Sequence, residues 1–241
     1  MVLLEAKTAA FGPIPSPQPP VPSPRSPAPS PAPNMKQPKF LYFDLGKVIV
    51  DFDIESMFRQ MGEVARVEPV VVRAVLFGGG LQKQYEGGQV SSRQFYEQFC
   101  RETNTRPDFD ELIQAGSDIF ELKTEMLPII ARLSQAGHRL GILSNTCEAH
   151  WEHCRRRYPV LSESFAVHAL SYLMGTTKPD EVAFRSAAEL AGHRAEDIFF
   201  VDDIERNVAG AVAVGFDAVQ YTSIPQLLAD LRQRGVDLQV G

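Results

Sequence analysis

Positive charge is in short supply in this sequence. Lysine and arginine total 24 against 30 aspartates and glutamates, for a formal net charge of −6 and an isoelectric point of about 5.4. No basic stripe stands out, which argues against nucleic acid as a partner. An acidic protein that binds phosphate must do so through a metal or a few local donors. Long apolar runs are missing as well: none approaches the roughly 18 residues that a membrane span needs. The opening MVLLEAKTAAF has no basic stretch and carries Glu5, so it does not read as a secretory signal. Cysteine is scarce and odd in number, at Cys100, Cys147 and Cys154. Reduced thiols in a cytosolic protein are the simple reading, and the cytoplasm is the expected compartment.

Proline is unevenly spread. Eleven of the 18 prolines lie between Pro13 and Pro33. Such a segment cannot bury a core and favours extended, solvated polyproline conformations. We expect residues 1–37 to be a disordered tail, either inert or a ligand for a proline-binding module. Met35 offers a different reading, because MKQPKFLYFD would itself be a natural beginning.

From residue 40 the pattern changes. FLYFD (40–44), RLGILSN (139–145), FAVHALS (165–171), DIFFVDD (197–203) and DAVQY (217–221) are short apolar runs of strand length. EMLPIIARLSQAG, EVAFRSAAELAG, ERNVAGAVAVG and SIPQLLADLRQRG lie between or after them with helical spacing and glycine stops. Alternating strands and helices predict an α/β fold, a three-layer parallel sheet with helices on both faces. Residues 54–120 stand apart, with little strand signal: ESMFRQMGEVARV, PVVVRAVLF, SSRQFYEQFCRET and FDELIQAGSDIF read as helices, Gly78–Gly80 break the block in two, and Ser91 with Gln94 forms a capping box. The expected organisation is a core of 38–53 and 121–241 with a helical cap, 54–120, inserted after the first strand.

In open parallel sheets, ligands bind beyond the carboxyl ends of the strands. The first strand ends in Asp44, the second in Ser144, Asn145 and Thr146, and the fourth in Asp202 and Asp203, with Asn207 about a turn further on. Lys178 sits in the loop after the third. A carboxylate nucleophile, a hydroxyl donor, a cation and an acidic pair in one crevice suit a phosphate ester and Mg²⁺. Phosphoryl transfer needs positioning and charge neutralisation. Hard oxygen ligands from Asp44 and Asp203 suit magnesium, and Asp44 could attack phosphorus to form an aspartyl-phosphate.

FDLGKV, LSNT, TKPD around Lys178 and FVDDIERN, in that order on strand ends, resemble the four motifs of the haloacid dehalogenase superfamily over roughly residues 39–235. DLGxVIxDxD, SNT, DDxxxN and YEGGQVSSRQFYEQF are most similar to the subgroup of bacterial α-D-glucose-1-phosphate phosphatases and epoxide hydrolase phosphatase domains. The resemblance implies a Rossmann-like core and a phosphatase. Asp44 would be nucleophile and metal ligand, the Gly46 carbonyl a second ligand and Asp203 the main acidic ligand. Asp202 and Asn207 would support it, while Ser144, Asn145 and Lys178 would hold the phosphate. Gly46 departs from the superfamily's usual second aspartate, which protonates the leaving group. Asp51, Asp53 or His150 could stand in, the substrate could have a good leaving group, or the protein could be slow.

Asp51 and Asp53 are otherwise expected to cap the first helix of the insertion. CEAHWEHC (147–154) puts Cys147, His150 and Cys154 on one helical face, but zinc sites draw ligands from two elements, and a helix packed on the sheet through Trp151 is the favoured account. Gln84, Tyr85 and Glu86 are expected to touch the substrate, a small phosphorylated metabolite such as a sugar phosphate, in a monomer or weak dimer. Two other readings stay open: a metal-independent 2-haloacid dehalogenase using the same Asp44, and a weakly active or non-catalytic binding protein.

Overall fold

The computed structural model describes residues 36–236 and 238. The expectation of a disordered tail over 1–37 falls outside the described residues except at Lys36 and Gln37, where Lys36 pairs with Asp197.

Seven strands are present among the described residues: β1 (Phe40–Phe43), β2 (Val50–Phe52), β3 (Phe120–Leu122), β4 (Arg139–Ser144), β5 (Val167–Leu170), β6 (Ile198–Asp202) and β7 (Asp217–Gln220). Five form one parallel sheet in the order β5-β4-β1-β6-β7, with Phe43 in register with Ile142 on one side and Val201 on the other. These are the five strands that the sequence predicts, each shorter by one to three residues.

Alternation along the strands separates two cores, because successive side chains point to opposite faces. Leu41, Phe43, Phe199 and Val201 pack on one face with α6 (Leu127–Gln135), α7 (Glu148–Arg157), α8 (Val160–Glu163) and α12 (Ile224–Gln233). Phe40, Tyr42, Ile198 and Phe200 pack on the other with α10 (Glu181–Ala191) and α11 (Glu205–Ala213). A Cβ at Gly141 would sit 2.5 Å from the Tyr42 ring and 2.7 Å from the Phe40 ring, so only glycine lets these aromatics lie across β4. Trp151 of α7 is buried, as the packed-helix reading of CEAHWEHC requires.

Between β2 and β3 the chain is helical: α1 (Ile54–Ala65), α2 (Pro69–Arg73), a π turn (Ala74–Gly78), α3 (Leu81–Glu86), α4 (Ser92–Thr103) and α5 (Phe109–Ser117). Asp53 caps α1 by accepting the Glu55 N–H, and Ser91 with Gln94 makes the capping box of α4. Asp51 caps nothing and pairs with Lys47 instead. Met61, Leu76, Phe99 and Leu112 close the centre of this block. A short α9 (Ser171–Met174) follows β5.

One element departs from the sequence reading. β2 and β3 form a separate antiparallel pair, with Phe52 opposite Phe120, whereas FDELIQAGSDIF reads as one helix to residue 120. Asp118 leaves helical geometry (φ −82, ψ 56) and ends α5. Three-residue strands are too short to display alternation, and Ile119 and Phe120 merely continue the apolar face of the helix pattern. Among the described residues, no helix is long and apolar enough to cross a membrane.

Candidate active site

The carboxyl ends of β1, β4 and β6 bring Asp44, Ser144 and Asp202 side by side. The Asp44 N–H donates to the Val201 carbonyl at 2.8 Å, which fixes the end of β1 against β6. Carboxylate oxygens of Asp44, Asp202 and Asp203 all lie within 4.8 Å of one another. Into this group reaches Lys178, whose side chain is 1% exposed. Its ammonium lies 2.6 Å from Asp202 Oδ2, 3.0 Å from Asp44 Oδ1 and 2.8 Å from the Leu143 carbonyl oxygen. Those three acceptors match its three protons.

The acids are not equivalent. Asp202 is fully buried and accepts from the Ile204 N–H, from Lys178 and, at both oxygens, from the Asn207 amide. Asp44 Oδ1 accepts the Leu45 N–H at 2.7 Å and faces Lys178, while Oδ2 has no partner among the described residues. The Asp203 carboxylate is half-buried and bonds to no other residue's side chain among those described. Burial raises the Asp44 carboxyl, with Asp202 adding to the rise and Lys178 opposing it. Burial and Asp202 likewise raise Asp203. Burial works against the charge on Lys178, but Asp44 and Asp202 outweigh it and the net shift is upward.

Asn145 does not turn its amide to the crevice. Its Nδ2 donates to the Lys178 carbonyl at 2.9 Å and its Oδ1 accepts the Lys178 N–H at 2.8 Å, so it pins the backbone that carries the lysine. Ser144 is buried at the end of β4, and both residues line a cavity of about 90 Å³. Gly46, Phe52, Gln82, Glu86 and His150 line it too. Of the cap residues expected to touch substrate, Glu86 reaches this cavity. Gln84 does not line it, and the buried Tyr85 bonds Ser92 and the Ala149 N–H. Sequence reasoning missed Phe52, Gln82 and Ser171. The Ser171 hydroxyl accepts the Thr146 N–H at 2.9 Å and lies 2.6 Å from the Glu86 carbonyl, joining α3 to the loop after β4. No local pattern marks a serine for such a junction.

The space beside Gly46 is taken. A Cβ there would meet the Phe52 ring edge at 2.9 Å. Gly46→Asp is therefore expected to cost about 1–3 kcal/mol, the usual range for overpacking. Combined with Phe52→Ala, it should cost less than the sum of the single changes. Thermal melts of the four-member cycle measure this, and simple additivity would count against the contact.

The arrangement is a largely buried acidic cluster at strand ends around the Lys178 ammonium, next to a cavity walled by Gly46, Ser144 and Asn145 of the core and by Gln82 and Glu86 of the helical block. The chain is similar to a haloacid dehalogenase family enzyme of Bacteroides thetaiotaomicron solved with magnesium and inorganic phosphate, at 22% identity and a TM-score of 0.69 over 78% of this chain and 98% of that one. A predicted haloacid dehalogenase-like family hydrolase of Porphyromonas gingivalis matches at 25% identity and a TM-score of 0.71, covering 82% and 98%. The L-2-haloacid dehalogenase of Xanthobacter autotrophicus, with chloropropionic acid covalently bound, matches more distantly, at 16% identity and a TM-score of 0.56 over 84% and 89%. The family model for haloacid dehalogenase-like hydrolases matches residues 43–215, from the end of β1 past α11. With the strand order, the four motifs and that match in agreement, the chain belongs to the haloacid dehalogenase-like hydrolases.

Proposed function

We propose that this hydrolase is a magnesium-dependent phosphatase that acts on a small phosphomonoester through an aspartyl-phosphate. One observation carries the reading: among the described residues, three clustered carboxylates face a single ammonium. Two uncompensated negative charges at that spot suit a divalent cation, and oxygen donors suit magnesium. Asp44, the Gly46 carbonyl and Asp203 would hold it, with Asp202 and Asn207 in support. Bound there, it would neutralise the phosphate and let an anionic nucleophile approach.

The residues divide the remaining work. Asp44 Oδ2, free of hydrogen bonds, is the nucleophilic atom. Lys178 and the Leu45 N–H hold Oδ1 and so orient the carboxylate. Ser144 and the backbone N–H of Asn145 receive the phosphate, since the Thr146 N–H is held by Ser171; the Asn145 side chain contributes by fixing the Lys178 backbone. The helical block α1–α5 acts as a cap that excludes water and limits substrate size. A cavity of about 90 Å³ admits only a small organic group beside the phosphate.

Phosphate release from an aryl phosphate is expected to fall at least about a hundredfold in EDTA and to recover on adding Mg²⁺. Release that is indifferent to EDTA, or chloride release from 2-chloropropionate in its place, would turn the assignment to a dehalogenase.

A further inference from the structure

Gly46 leaves the leaving group without an acid at the position where a side chain would be nearest, and Phe52 fills that space with an apolar ring. An alkyl leaving oxygen still needs a proton. Asp51 is exposed and paired with Lys47, and Asp53 is exposed and caps α1. Both line a separate outer groove. Among the described residues, the ionisable side chains lining the cavity are His150 and Glu86.

His150 has no proton to give. Its Nε2 lies 3.1 Å from the Gly116 carbonyl, which only accepts, so the ring proton sits on Nε2 and is committed there. Burial keeps the ring neutral, with its pKa pushed down to about 4.

Glu86 is different. Its carboxyl accepts from the Gln82 amide at 2.8 Å through one oxygen. No cation stands beside it: burial raises its pKa and the Gln82 bond opposes the rise. The end of α3 is anchored to the core by the Ser171 bond to the Glu86 carbonyl. Gly46, Ser144 and Glu86 share the wall of one cavity, so the carboxyl faces the same space as the strand ends that receive the phosphate. An uncompensated carboxylate beside a phosphate ester would repel it, whereas a protonated one donates to it.

We infer that Glu86 is the general acid and base of the reaction, in place of the side chain that Gly46 lacks; this rests on the phosphatase reading. As Asp44 Oδ2 bonds to phosphorus, the bond from phosphorus to the leaving oxygen breaks. That oxygen keeps the electron pair, takes the Glu86 proton and departs as an alcohol. A water then attacks phosphorus and gives a proton to the Glu86 carboxylate. The bond to Asp44 breaks, freeing inorganic phosphate and restoring both side chains.

The test compares kcat and KM for an alkyl phosphate and for 4-nitrophenyl phosphate, with Mg²⁺, in the wild type, Glu86→Gln and Glu86→Asp. Glu86→Gln should lower kcat on the alkyl ester by about 10²–10⁴-fold and on the aryl ester by much less, since nitrophenolate leaves without help. Glu86→Asp should show the same selectivity with a smaller loss. Unchanged melting temperatures would show that the variants fold. Equal losses on both esters, or an effect confined to KM, would overturn the assignment and leave Glu86 a recognition group. A wild type that releases phosphate from neither ester would overturn the phosphatase reading along with it.

Discussion

Replacing Asp44 by asparagine is expected to abolish phosphate release while leaving the protein at least as stable as before. The loss should exceed about a thousandfold, because the amide is no nucleophile and no other free oxygen stands in its place. The stability side follows from burial. Asp44 is 7% exposed and sits beside Asp202, and its ionised form is disfavoured there in spite of Lys178. A neutral amide of the same shape removes that repulsion and leaves Lys178 paired with Asp202. Thermal melts and acid-quench capture of a phosphoryl-enzyme would measure both halves. A variant that kept a tenth of the activity would rule out Asp44 as the nucleophile; one that lost several kcal/mol would show that its charge holds the fold together.

Lys178→Met is expected to do the opposite to stability. Among the described residues, the ammonium is the one cation paired with Asp44 and Asp202, and it also serves the Leu143 carbonyl. Removing one partner of a buried charge cluster costs about 3–5 kcal/mol, because the remaining charges stay desolvated. For a domain of this size that is roughly a 10 °C fall in melting temperature. Without the lysine, which opposes the effect of burial on Asp44, the Asp44 carboxyl is raised further, so the folded variant takes up a proton more readily than its unfolded chain. Its deficit against the wild type should therefore shrink as pH falls. It should also be smaller in Mg²⁺ than in EDTA if a cation can share the acids. A melting temperature unmoved in EDTA would contradict the charge balance described for this site.

The strand-terminal acids were readable because a buried parallel strand is a run of apolar residues with nothing to hide a carboxylate at its end. Asp44, Asp202 and Asp203 stood out for that reason, and Lys178 through its place in the order of motifs. The strand pair β2–β3 was not readable, since three residues carry no period. Nor was the use of the Asn145 amide. A sequence shows that an amide is near a strand end, but which backbone it bonds depends on where the loop of Lys178 returns. The same holds for the cap: α3, too short and too polar to show a period, is not among the helices that the sequence predicts, and which of Gln82, Gln84, Tyr85 and Glu86 faces inward depends on how α3 docks against α9 and the 144–146 loop.

The contact between Gly46 and Phe52 also bears on descent. Aspartate at 46 and phenylalanine at 52 compete for one volume, so the effect of either residue depends on the other. A lineage carrying the phenylalanine gains an aspartate at 46 only by displacing the ring edge, at a cost of about 1–3 kcal/mol that a smaller residue at 52 would relieve. The ring thus works as a brake on an acid at 46 and leaves the cap as the place from which a substitute donor can be recruited.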